Sequence, residues 1–410
     1  MGEVQVATVT ELRGKMKLTY TPDVAPLGTP LISVTMPVSA ADYHDKVVRP
    51  FFCGLLPEGP ARQTIAYDFG VDANDDVGLL TALGRDCAGA FMVLPAGEPT
   101  QVAPEPAVRL DVAEIERRLR SLPVYPLGVS DKVRASLPGV QPKLLLARRD
   151  GDWFSPGANQ PSTHILKPAI PELSASVANE VYCMNLAARV GLDAARTSLE
   201  RFGSVEVLVS ERYDRRVLPG GTTVRVHQED ACQALSVLTR LPKHKYQAHG
   251  GPSLQAIARI LTAWNGSVRD LLRYATFSVA VGNADLHGKN ISMLHRPDGT
   301  VALAPIYDVM CTTHYDGAAD SKAVDTELAM FIGAKTDILT VAFDDLVTEA
   351  KRWGMRPVTA RSAIGETLER VLAEVDHARS EINIDVPAAI IDRIRTRAIS
   401  LAAREHPSGR

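Results

Sequence analysis

The chain has 410 residues, 45% of them hydrophobic, which suffices for two or three domains and a sizeable core. Its formal charge of −3 excludes a protein that coats nucleic acid through its own charge. Cysteines at 53, 87, 183, 232 and 311 are odd in number and lack metal-type spacing, which fits a reducing compartment. No secretory signal opens the chain, no apolar run approaches a membrane span, and Val6 stands where a myristoylation motif needs Ser or Thr. The expectation is a soluble cytoplasmic protein with no membrane partner.

Residues 1–104 read as a compact α/β unit. Val4 to Val9, Lys17 to Tyr20 and Leu31 to Met36 are strand candidates, and Asp75 to Leu83 a helix. Arg85 and Asp86 read as a structural ion pair or turn, and Pro95 to Pro106 as a linker. Asp111 is placed to cap a helix ending at Leu122. The loop Ser136-Leu-Pro138-Gly139-Val140-Gln141-Pro142-Lys143 then enters a hairpin, Leu144 to Arg148 and Trp153-Phe154, joined by Asp-Gly. It is unlike a P-loop and by itself reads as a turn, although such a loop can lay backbone N–H groups over phosphates.

Thr163-His-Ile-Leu-Lys167-Pro168 is a strand ending at proline, with Ile165 and Lys167 on one face. A lysine at the inner end of a strand is costly to bury alone, and a nucleotide phosphate would offset that cost. A helix from Ser174 to Val190 follows. Its Glu180 is either a partner for Lys167 or solvent-facing. The strand from Val205 leads to Glu211-Arg212-Tyr213, the natural place for a nucleotide base to meet a hinge, while Arg212, Arg215 and Arg216 read as a solvated turn. Helix start signals gather at Gln228-Glu-Asp230, and beyond it the chain is mostly helical. Helices are expected over Phe343 to Trp353, Ala363 to Val375 and Val386 to Ala403. The span Leu346 to Glu366 reads as helical packing in preference to a DNA-binding helix-turn-helix.

The most informative stretch is Val281 to Val309. An apolar helix from Leu271 stops at Gly282. Asp285-Leu-His287-Gly288-Lys289-Asn290 follows, then two apolar runs around Arg-Pro-Asp-Gly, and finally Tyr307-Asp308. With the hairpin turn near Asp298 and Gly299, antiparallel pairing is expected to bring Asn290 and Asp308 side by side near Asp285. Phosphoryl transfer needs this set: a carboxylate to accept a hydroxyl proton, and an amide with a second carboxylate to hold magnesium. Asp285 and Asn290 are spaced as in a kinase catalytic loop, without the preceding His-Arg.

In order along nearly the whole chain, the motifs at 51–59, 84–90, 136–143, 163–168, 211–215, 228–230, 283–290 and 307–308 resemble those of the HipA family of bacterial serine/threonine kinases, the toxins of toxin–antitoxin pairs. The resemblance implies an α+β, two-lobed kinase-like fold. Its N-terminal subdomain would span 1–104, its small lobe 105–213 and its helical large lobe, akin to lipid-kinase folds, 214–410. It implies ATP and Mg2+ as cofactors, Asp285 as catalytic base, and Asn290 and Asp308 as metal ligands. It further implies Pro138, Gly139, Val140, Gln141, Pro142 and Lys143 over the ATP phosphates with Lys167 holding them. Glu211, Arg212 and Tyr213 would meet adenine, and His287, Gly288, Lys289 and Tyr307 would complete the nucleotide side. Ser136 matches the family's autophosphorylated serine. A small helix-turn-helix antitoxin, HipB-like, would be the partner, with DNA reached only through it. A translation component such as an aminoacyl-tRNA synthetase would be the protein substrate. Tyr213 and Pro142 depart from the commoner family residues. Two other classes stay open on the residues themselves: a small-molecule phosphotransferase of aminoglycoside type and a catalytically silent binding subunit.

Overall fold

A computed structural model describes residues 4–100, 108–122, 124–128, 134–157, 160–219, 221–316, 326–381 and 384–403. The end of the linker candidate Pro95 to Pro106, and Gly220, lie outside them. The chain divides into two compact units, residues 1–168, 200–245 and 293–301, and residues 169–199, 246–292 and 302–410.

In the first unit, strands Ala7–Leu12 and Lys15–Tyr20 pair antiparallel with Tyr43–His44 at the edge, and helices Asp45–Gly54, Gly59–Asp68 and Asp76–Leu83 cover them. Met16, Leu18, Met36, Phe51, Leu56 and Leu79 fill the space between. The strand expected over Leu31 to Met36 does not form. It is a tight turn in which Met36 N–H donates to Ser33 O, and the buried Glu229 carboxylate accepts Ser33 Oγ and Val34 N–H. Hydrophobic residues there plug a core instead of meeting a partner strand.

A six-stranded sheet follows, in the order Arg109–Leu110, Asp152–Phe154, Leu144–Arg149, His164–Pro168, Val205–Glu211, Thr197–Phe202. Alternation sends its side chains to two cores. Leu145 and Ile165 join the N-terminal core, whereas Leu144, Leu146, Leu166 and Val209 pack with Ile115 and Leu119 of the helix Val112–Ser121. Asp111 caps that helix through Glu114 N–H at 2.8 Å, as its position predicts. Asp150 and Gly151 both have positive φ, 49° and 87°, the signature of a two-residue primed hairpin turn.

The second unit is mainly helical. Helix Val268–Val281 is buried from Leu271 to Val281, apart from Arg273, and packs on helices Pro357–Glu374 and Ala388–Ala402. Prolines at 357 and 387 set where those two helices begin, since proline suits the first turn or the residue before it. Leu346, Val347, Ala360, Ala363 and Ile364 are buried, which is helix packing across the candidate helix-turn-helix span. A strand pair, Glu327–Ile332 with Lys335–Asp337, was not anticipated.

Candidate active site

Gly282 ends the buried helix with φ 74°, and a Cβ there would come within 2.3 Å of Thr313 Oγ1, so glycine is required twice over. Thr312 Oγ donates to Gly282 O and accepts Ala284 N–H. Asn283 Oδ1 accepts Asp285 N–H at 3.1 Å. The Asp285 carbonyl then receives His287 N–H at 2.8 Å and Asn290 Nδ2 at 3.0 Å. The loop therefore closes on itself, bringing Asn290 to Asp285 and turning the amide oxygen of Asn290 away from that carbonyl. His287, Lys289 and Asn290 are buried, and the Asp285 side chain is half-exposed.

The hairpin departs from expectation in register. Ser292 O accepts Ala304 N–H and Arg296 N–H donates to Thr300 O, which would extend to Asn290 opposite Ile306, not Asp308. Pairing does not continue that far. Pro305 has no N–H to donate, and Ile306 bonds instead to Asp193 and Ala195. Tyr307 reaches back, its hydroxyl on Lys289 O at 2.7 Å and within 2.7 Å of Ser292 Oγ. Beyond Asp308, Asn179 clamps Cys311 by accepting its N–H at 2.8 Å and donating to its carbonyl at 3.1 Å. Between these two anchors Asp308 adopts φ 59°, a left-handed conformation that an aspartate tolerates at a cost.

In the first unit Ser136 is wholly buried. Its Oγ donates to Leu55 O at 2.6 Å and its N–H to Asp86 O at 2.9 Å. Gly139 has φ 112°, and a Cβ would lie 2.5 Å from Lys143 Nζ, which itself donates to Pro138 O at 2.7 Å. Gln141 Nε2 donates to Pro168 O, and Val140 is exposed. Leu144 pairs with Leu166, and Lys143, just ahead of its strand, and Lys167, next after Leu166, are both buried.

At the expected hinge residues, Glu211 pairs with His164 in the ladder and Arg212 N–H donates to Thr163 O. Tyr213 donates its hydroxyl to Gln228. The solvated-turn reading of the arginines is corrected: Arg212 and Arg215 are buried and only Arg216 is exposed. Arg212 bonds Asp214, Ser162 Oγ and Cys87 O. Arg215 bonds Asp86, Gly89 O and Cys87 O. Burial raises the Asp86 and Asp214 carboxyls, but the arginines more than reverse this, bringing Asp214 to about 2 and Asp86 below the usual carboxylate range. Asp86 is thus structural, though its partners are Arg212, Arg215 and Arg225, while Arg85 pairs with Glu98. Glu180 is buried, against the solvent-facing alternative.

Three residues with no sequence signal support the second unit's site: Thr312, Asn179 and Tyr246, whose hydroxyl donates to Asp285 Oδ1 at 3.0 Å. Each acts across more than 25 residues, so local spacing could not reveal it.

The HipA-like C-terminal domain family matches residues 135–375, and the HipA N-terminal domain family residues 1–94. A protein of Sinorhizobium fredii named "Putative kinase Y4mE" is 37% identical over 367 residues, covering 86% of this chain and 85% of its own. The serine/threonine-protein kinase toxin HipA of Shewanella oneidensis is 28% identical over 382 residues, covering 90% and 84%. A solved complex of the Shewanella oneidensis toxin–antitoxin system, HipA with HipB and operator DNA, contains a chain matching with TM-score 0.83 at 24% identity, over 97% of this chain and 95% of that one. The protein is a kinase with an α+β, kinase-like fold. It belongs to the HipA family.

Proposed function

We propose that this kinase transfers the γ-phosphoryl group of ATP to a serine or threonine of a protein, with magnesium, as the toxin of a toxin–antitoxin pair. The observation carrying the reading is the self-closed loop that joins Asp285 to Asn290. In this reading the acceptor hydroxyl oxygen bonds to the γ-phosphorus as the bond to the ADP oxygen breaks, and the hydroxyl proton passes to Asp285. Asn290 and Asp308 would hold magnesium, a hard ion suited to amide and carboxylate oxygens that neutralises developing phosphate charge.

In this reading the buried Lys143 and Lys167 serve the ATP phosphates, which 138–143 cover, 211–213 are the adenine hinge, and 287–289 and Tyr307 are further nucleotide-binding residues. Residues 105–213 would grip the nucleotide and 214–410 carry the chemistry, with residues 1–104 as the N-terminal subdomain. Ser136 is the self-modification site in this scheme. A HipB-like DNA-binding antitoxin is the inferred partner, a translation-related protein the target and the cytoplasm the location. In support, the solved relative is a complex with HipB and operator DNA, and among the described residues no helix is long and apolar enough to cross a membrane.

The test is incubation of the purified chain with labelled ATP, magnesium and host lysate, with phosphosite mapping. Label in discrete protein bands is expected; label in small metabolites would favour a small-molecule phosphotransferase instead. Asp285→Asn should retain magnesium-dependent ATP binding by calorimetry while transfer falls at least about a hundredfold. Near-normal transfer would refute the base assignment.

A further inference from the structure

We propose that Tyr246 is a positioning residue for phosphoryl transfer: its phenol holds the Asp285 carboxylate in the orientation from which it takes the acceptor's proton. This rests on the kinase reading above. The main chain of Asp285 is locked by Asn283, His287 and Asn290 through its N–H and carbonyl, and the Tyr246 phenol reaches its side chain. A half-exposed aspartate on a loop has several staggered rotamers within reach. Tyr246 Oη donates to Oδ1 at 3.0 Å, while Oδ2 lies 3.9 Å from His287 Nε2, beyond hydrogen-bonding range. The phenol thus fixes one carboxylate oxygen directly, and with it the plane of the carboxylate.

Tyrosine suits the task because its hydroxyl stays protonated at neutral pH and so donates without competing as a base. Its own position is braced from two sides. The ring meets His287 edge-on, with centroids 5.4 Å apart at 86°. The next residue, Gln247, accepts Phe331 N–H through Oε1 at 2.9 Å, and Ala329 of the same strand donates its N–H to Ala284 O at 2.9 Å. The strand Glu327–Ile332 thus sets the location of both phenol and carboxylate, which are 39 residues apart in sequence. A tyrosine serving only as packing would need none of this alignment, and small displacements of a reacting group are expensive in rate.

The experiment compares the full chain with Tyr246→Phe, measuring the initial rate at which labelled ATP marks acid-precipitable protein in host lysate, with ATP varied. The ring and its contact with His287 are retained in the variant. Apparent kcat should fall about tenfold, with KM for ATP, calorimetric magnesium-ATP binding and the thermal midpoint unchanged. In an Asp285→Asn background the same change should alter the residual rate less than about twofold, because the phenol acts through that carboxylate. A full rate in Tyr246→Phe, an equal fall in both backgrounds, or a rise in KM matching the fall in kcat overturns the assignment. Absence of transfer by the unaltered chain strikes the kinase reading itself, which separates the two failures.

Discussion

Asp285 and Asp86 both follow a glycine-containing turn, and their surroundings are opposite. The Asp285 loop is pinned by neutral groups, the Asn283 and Asn290 amides, the Thr312 hydroxyl and main-chain bonds, with its carboxylate half-exposed. Asp86 is buried, and its charge is consumed by Arg215, Arg212 and Arg225 with Ser162 bonded to it. The two aspartates thus differ in what fixes them: neutral groups hold the main chain of the half-exposed Asp285, and cations hold the buried Asp86. Where cations surround it, an aspartate is a joint.

The comparison can be broken at several points. Asp86→Ala removes the anion that Arg215 and Arg225 share, and leaving buried charge uncompensated should cost about 3–5 kcal/mol by urea unfolding. A loss under about 1 kcal/mol would return the cluster to the solvated class. At Asp308, valine in the left-handed region should cost about 1–2 kcal/mol, whereas Asp308→Asn, which tolerates that conformation, should unfold like the parent yet lose magnesium-dependent ATP binding in calorimetry. Equal stability of the two variants would mean that φ 59° is not held in solution.

A smaller effect concerns acid. Burial, aided by Arg148, depresses His164 to about 4, and burial, aided by His295, holds His227 well below the imidazole range. Both groups take up protons in the unfolded chain first, so their contribution is complete above about pH 6.5 and is lost as pH falls toward 4. The urea midpoint should be lower at pH 5 than at pH 7.5, and a flat profile would contradict these burials. Smallest of all, Asp285→Asn should change stability by no more than about 0.5 kcal/mol, because its side chain is half-exposed whereas that of Asp86 is buried.

Much of the framework was legible because its determinants are local. Gly282, the Asp111 cap, the Asp150-Gly151 turn and the buried helix before Asp285 each announce themselves within a few residues. The approach of Asn290 to Asp285 was legible for the same reason, being a five-residue closure. How far the hairpin pairing runs was not, because the partner at 193–195 that takes up Ile306 is more than 100 residues away in sequence. Nor were the buried arginines: Arg212 and Arg215 are polar by type, and of the two acids that neutralise them only Asp214 is near in sequence, while Asp86 is more than 120 residues away. Leu31 to Met36 misled in the other direction, since β-branched residues filling a core and those forming a ladder look alike in one dimension.

The burial of Ser136 has a kinetic corollary. With its hydroxyl committed to the Leu55 carbonyl and its amide to Asp86, any enzyme or reagent that modifies this serine meets only the minority of molecules in which the segment has swung out. The speed of its modification then reports that opening equilibrium, so a change in the N-terminal subdomain that loosens either bond would accelerate labelling without touching a catalytic group.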